Sequence, residues 1–165
     1  ELTPRARPRA VALPYWSDRH PDHVPASHVL TEAVFNSGLR RFHAGGDPWR
    51  PDWACYYFIN DSAVPSFVID VSDHYEAKRR ALACHATQFR PSDAGAVSTR
   101  LTSRTFQQLI ESRDAQFGAL TGVAFAEGVV VKEPVARSHL LREWDAAPRA
   151  KAVDEPLSDA QDRRR

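Results

Sequence analysis

Ala10-Val11-Ala12-Leu13-Pro14-Tyr15-Trp16-Ser17-Asp18-Arg19-His20-Pro21-Asp22-His23 is the stretch on which the reading of this chain turns. A short apolar run, residues 10–13, gives way to a polar loop and then to a helix-like segment. A buried strand followed by a loop and a helix start is the arrangement in which open α/β sheets place ligands, at the carboxyl ends of their strands. His20 and His23 lie on that loop with Asp22 between them. Two imidazoles three apart, with a carboxylate close by, supply a metal ligand, a group that titrates near neutrality and something to orient a ring. Pro21 limits where the rings can point. The plain alternative is a solvated polar turn, and a His-x-x-His spacing alone does not decide between the two.

Outward from this loop the chain alternates. Ala26, Val29, Leu30, Ala33, Val34 and Leu39 recur at the spacing of one helical face, so a helix is expected over residues 24–39, with Pro25 in its first turn and Gly38 as its cap. A loop rich in Gly and Pro follows and carries Arg50. Residues 53–59, dense in aromatics, read as a well-covered strand, and residues 67–71 as a short strand covered on both faces. Asp73 with Glu76 resembles a capping box that opens a helix running to about Thr87. After a loop over 90–98, Phe106, Leu109, Ile110, Arg113 and Phe117 keep helical spacing, and the four apolar positions are expected in the core. Residues 122–131 read as a last strand broken at Glu127-Gly128, followed by a short helical piece over 138–144. Strands alternating with helices favour α/β layers over all-α or all-β answers.

A chain of 165 residues, 42% of them hydrophobic, can bury one core and fits one domain. We place that domain at residues 1–145 and read residues 146–165, rich in Pro and charge, as a disordered tail. The formal net charge of +1 removes any global electrostatic argument for nucleic acid. The basic ends, Arg5, Arg7 and Arg9 and then Arg163 to Arg165, read as solvated tails. No apolar run approaches the roughly 20 residues needed to span a bilayer. Cys55 and Cys84 form no disulfide framework and are expected as buried free thiols, compatible with a cytoplasmic location. The chain opens at Glu1 and contains no methionine, which points to a processed or truncated product or to a recombinant boundary.

Enough residues are now in hand to carry a resemblance. Leu13-Pro14-Tyr15 leading into Asp18-Arg19-His20-Pro21-Asp22-His23 is one part of it, and Glu32-Ala33-Val34-Phe35 to Gly38-Leu39-Arg40 another. Further on come Phe67-Val68-Ile69-Asp70-Val71-Ser72, Thr87-Gln88-Phe89 and Gly122-Val123-Ala124-Phe125-Ala126-Glu127. Together and in this order they resemble the C-terminal two-thirds of the PIG-L/LmbE family of zinc-dependent N-acetylglucosamine deacetylases, in particular the bacillithiol-biosynthesis branch acting on N-acetylglucosaminyl-malate. The resemblance implies a three-layer Rossmann-like α/β sheet flanked by helices, with its leading strands missing from this chain. It makes His23 a Zn2+ ligand, His20 the group that stabilises the oxyanion and protonates the leaving amine, and Asp22 the carboxylate that orients His20. Such a site wants three protein ligands and an open position for water.

The family's other two ligands and its general base come from an Ala-His-Pro-Asp-Asp motif, which is absent here. Phe125 stands where relatives of that branch often carry Tyr. Arg50 and Arg19 are the candidate substrate-binding residues, since a guanidinium suits a carboxylate such as that of malate. For Arg50 a plain solvated loop residue is the equal alternative. His28, His43, His74 and His85 have no matching spacing and are expected to be surface or core residues. The expectation is therefore part of a zinc amidohydrolase acting on a small N-acetylglucosaminide, homo-oligomeric, binding neither nucleic acid nor membrane, with a non-catalytic interaction or assembly module as the alternative.

Overall fold

Four strands form one mixed sheet in the computed structural model, which describes residues 6–42, 47–86 and 100–136. In chain order the elements are β1 (Ala10–Pro14), α1 (His23–Ser37), β2 (Trp53–Tyr57), β3 (Phe67–Asp70), a 3-10 turn (Ser72–His74), α2 (Tyr75–Ala83), α3 (Arg104–Thr121) and β4 (Ala126–Val130). The segment Glu1–Pro134 forms one compact unit and a second begins at Val135, of which only Val135 and Ala136 are described. The helical piece expected over 138–144, the tail over 146–165, the loop over 90–98 and His43 lie outside the described residues.

The strand order is β1-β2-β4-β3. β1 and β2 are parallel, with Ala10 opposite Trp53 and Pro14 opposite Tyr57. β4 runs antiparallel to both β2 and β3. Side chains alternate across a strand, so Val11 and Leu13, Ala54 and Tyr56, Gly128 and Val130 share one face. On that face Leu13, Tyr56, Phe58, Phe117, Ala126 and Val130 form the buried cluster, with Val34 and Val123 packed against it, so α1 and α3 cover the same side. The ring of Phe117 lies so close to Gly128 that a Cβ there would sit 2.6 Å from it. On the alternate face Tyr57 and Ile69 are exposed, whereas Val129, opposite Tyr57, is buried and Trp53 and Phe67 are half-buried.

The helix expected over 24–39 is present, but only part of its apolar face turns inward: Val34 packs on the core while other apolar positions face solvent. Ser27, 1% exposed, and Ser37 are buried, whereas Val29 is 64% exposed and Leu30 and Leu39 also face solvent. The reason is hydrogen bonding. The Ser27 hydroxyl donates to the Pro14 carbonyl at the end of β1, at 2.7 Å. Thr31 pairs with the Tyr56 hydroxyl at 3.2 Å, and the Ser37 hydroxyl donates to the Trp49 carbonyl at 2.9 Å. Small hydroxyl residues let the helix approach and pair with the β1-end carbonyl, the Tyr56 hydroxyl and a loop carbonyl that a purely apolar face would leave unpaired.

Other boundaries and burials are corrected in the same way. β2 ends at Tyr57 and β3 at Asp70, and Ile69 is exposed, so β3 is not covered on both faces. Glu127 and Gly128 lie within β4 instead of breaking it, because Gly128 is where the Phe58 and Phe117 rings need room. The capping box at Asp73 does not form: Ser72–His74 is a 3-10 turn and α2 begins at Tyr75 without a side-chain cap. In α3 Phe106 and Phe117 are buried as expected, but Leu109 is exposed. Cys84 is exposed rather than buried, and Cys55 is half-buried, its thiol pKa raised by that burial.

Candidate active site

Because β1 and β2 are parallel and paired to their last residues, the loops that follow them emerge side by side. This brings Asp18 against Asn60, 42 positions away. The Asp18 side chain is 3% exposed and is surrounded by donors. One carboxylate oxygen accepts from the His20 amide at 2.8 Å, the Asn60 side-chain amide at 2.9 Å and His23 Nδ1 at 3.0 Å. The other accepts from the backbone amides of Asn60 at 2.9 Å and Asp61 at 3.2 Å. Burial by itself would raise the pKa of this group. The hydrogen bonds from the Asn60 side chain and from the His20, Asn60 and Asp61 amides outweigh it and hold the carboxyl far below the ordinary range.

The consequence for His23 is a fixed ring. Its Nδ1 hydrogen is directed at Asp18, so the lone pair lies on Nε2, the arrangement by which a carboxylate orients a metal-binding imidazole. Asn60 Nδ2 also stands 3.3 Å from His23 Nδ1, two donors converging on one oxygen. His23 is the first residue of α1, and its ring stacks on that of His20 with centroids 4.6 Å apart. His20 is the more exposed of the two.

Asp22 meets His20 in a manner the sequence did not indicate. Its backbone amide donates to His20 Nδ1 at 3.2 Å, whereas its carboxylate stands 4.0 Å from the same nitrogen. With Nδ1 accepting, the neutral His20 ring carries its hydrogen on Nε2. Arg19 is exposed on the same loop. Arg50 is not brought to it: the side chain packs beside Gly38 and 5.4 Å from the Phe35 ring centroid, at the far end of α1. At a rise of about 1.5 Å per residue, that end lies roughly 22 Å from His23. His28, His74 and His85 are exposed.

Asp18 and Asn60 are the residues that sequence reasoning left without a role. The signal was available in part, since parallel strands of matched length bring together the residues just beyond their ends. Among the described residues no group of three or more His, Cys, Asp or Glu side chains is arranged to hold a metal ion. These residues therefore provide one oriented imidazole and not a complete zinc site. No described helix is long and apolar enough to cross a membrane.

Fold and site together define a mixed α/β protein with a histidine pair at the strand ends, one ring braced by a carboxylate, and two curated proteins it is similar to are deacetylases. The diacetylchitobiose deacetylase of Thermococcus kodakarensis is 30% identical over 122 residues, covering 71% of this chain and 40% of that protein. The 1D-myo-inositol 2-acetamido-2-deoxy-alpha-D-glucopyranoside deacetylase of Rhodococcus opacus is 32% identical, covering 46% of this chain and 36% of its own length. A solved structure of a conserved protein from Thermus thermophilus superposes with a TM-score of 0.71 at 28% identity, over 86% of this chain and 59% of that one. The chain thus spans less than half the length of the two curated relatives. No protein-family model matches it.

Proposed function

We propose that this chain forms part of a zinc-dependent amidohydrolase of the PIG-L/LmbE type, cytoplasmic, which removes the acetyl group from an N-acetylglucosaminide. Within that class we favour N-acetylglucosaminyl-malate, in bacillithiol biosynthesis, on the motifs quoted above. The observation that carries the reading is His23: Nδ1 held by a buried carboxylate, Nε2 left for a ligand, at the carboxyl end of a parallel strand pair. It agrees with the names of the two curated relatives, both deacetylases.

In this reading His23 contributes one zinc ligand, and the remaining ligands and the general base come from outside the described residues. In the neutral ring His20 Nδ1 accepts from the Asp22 amide, which leaves Nε2–H to face the carbonyl oxygen as negative charge develops there. To act as the acid the ring must first take up a proton at Nδ1, releasing that amide; it then gives its Nε2 proton to the departing amine and returns to the neutral form. Asp22 keeps its carboxylate within ion-pairing distance of the ring once that ring is protonated. Arg19, exposed on the same loop as the histidines, is the arginine we assign to a substrate carboxylate. Arg50, at the other end of α1, is not carried forward in that role. The incomplete ligand set among the described residues favours one second reading, a non-catalytic module of the same fold.

A zinc titration followed by histidine ring NMR, together with acetate release from N-acetylglucosaminyl-malate and diacetylchitobiose, tests both. Zinc should perturb His23 first, and weakly, and His23→Ala should remove that response. The chain alone should release no acetate, because one imidazole does not build a three-ligand site. Zinc binding that ignores His23→Ala would overturn the zinc-ligand assignment. Stoichiometric zinc with turnover in this chain alone would show that its own residues complete the site.

A further inference from the structure

We propose that Arg113, on α3, is a positioning residue for the His23 site, acting through the Ile59–Asn60 peptide group and Asp18. Arg113 and Asp114 are neighbours on α3 and both are withdrawn from solvent, the arginine side chain at 13% exposure. Burying a guanidinium is costly unless it is fully used. Asp114 occupies only part of it: Lys78 Nζ at 2.6 Å and the Tyr75 hydroxyl at 3.1 Å both donate to Asp114 Oδ2, and Arg113 gives Oδ1 a single long contact from Nε at 3.4 Å. What Arg113 does that no neighbour does is donate from Nη1 to the Ile59 carbonyl at 2.9 Å.

That carbonyl belongs to the same peptide group whose N–H, on Asn60, donates to Asp18 at 2.9 Å. A cation at one end of the peptide and an anion at the other polarise it in the same sense, so each hydrogen bond strengthens the other. Rotation of the plane would take the Asn60 amide off Asp18 and swing the Asn60 side chain, the second donor to the same carboxylate. Asp18 in turn orients His23. The planar fork of arginine lets one side chain hold Asp114 with Nε and Ile59 with Nη1, which a lysine ammonium in the same place cannot reproduce.

Amide hydrogen exchange and histidine ring 15N shifts, measured by NMR on the full chain, test this. In Arg113→Gln the Asn60 and Asp61 amides should exchange roughly ten-fold or more faster, as loss of a charge-assisted hydrogen bond implies. The amides of Tyr15, bonded to Tyr57, and Val71, bonded to Phe125, should keep their protection. The His23 ring shifts should move towards a mixture of tautomers. Equal acceleration of all four amides, or unchanged Asn60 exchange with unchanged ring shifts, would show that Arg113 serves the fold alone and overturn the proposal. Should Arg113→Gln not fold, Arg113→Lys, which keeps a positive charge beside Asp114, carries the same comparison. The functional meaning rests on His23 as a ligand. Zinc binding insensitive to His23→Ala would remove that reading and leave the exchange result standing, whereas unchanged exchange would sink the positioning role alone.

Discussion

Asp18→Asn keeps the shape of the side chain and removes its charge. The carboxylate accepts five hydrogen bonds, three on one oxygen and two on the other. In the less harmful orientation the new NH2 group replaces the oxygen with two donors and confronts the Asn60 and Asp61 amides with another donor. Leaving the half-buried Asn60 N–H unpaired costs about 1–3 kcal/mol, the exposed Asp61 N–H less because water can reach it, and the bonds that survive lose their ionic character, so a loss of about 3 kcal/mol is expected. For a unit of this size that is a fall in Tm of roughly 10 °C.

Urea denaturation followed by tryptophan fluorescence measures the loss, and repeating it across acid pH checks its origin. Burial pushes the Asp18 pKa up, but the hydrogen bonds win and the folded group lies well below its ordinary value of 3.8. The unfolded chain therefore takes up the proton first. The stability Asp18 contributes is complete above that ordinary value and drains away as pH falls towards the folded one. In Asp18→Asn this part of the acid slope should vanish. Asp70, whose carboxyl is also lowered by the Ser72 hydroxyl and amide, should keep its own share. A change below about 0.5 kcal/mol, or an acid slope identical to that of the parent, would refute the account, since surface substitutions alone produce changes of that size.

Three further outcomes are expected. Gly122 closes α3 with φ at 79°, and nothing lies within 4 Å of a Cβ built there, so Gly122→Ala should cost about 1 kcal/mol from backbone strain alone, read by urea midpoint at constant slope. Gly128→Ala would place its methyl 2.6 Å from Phe117 Cε2 and 2.9 Å from Phe58 Cε2, and overpacking of about 1–3 kcal/mol should appear by calorimetry. In a protein that holds the complete ligand set, His23→Ala should abolish zinc retention after dialysis, whereas His20→Ala should keep the metal and lose turnover. Equal metal loss in both would show that the two rings do not divide the work.

Much of this was legible along the chain. Periodicity placed α1 and α3, and aromatic density placed β2, because each signal is local and survives without neighbours. The loop bearing His20 and His23 was legible for the same reason, as a polar interval between a strand and a helix. What was not legible is how Asp22 meets His20, through its backbone amide at 3.2 Å with the carboxylate 4.0 Å away. The face of α1 was misread in part, since Val34 does pack on the core, because Ser27, Thr31 and Ser37 count as polar in a pattern but turn inward where the Pro14 and Trp49 carbonyls and the Tyr56 hydroxyl offer partners.

The sequence by itself determined the order and type of the elements and the position of the histidine pair, since these depend on residues close together in the chain. Only the tertiary structure decided what holds those histidines. Asp18 meets Asn60 because two strands lie parallel and end level. Arg113 reaches Ile59 because α3 crosses the same sheet face. The tertiary structure also decided that Arg50 lies away from the site, since α1 spans the distance between its two ends as a rigid rod. Contacts between residues 42 and 54 positions apart leave no local periodicity to read. They exist only once strand pairing has brought the loops to one end of the sheet.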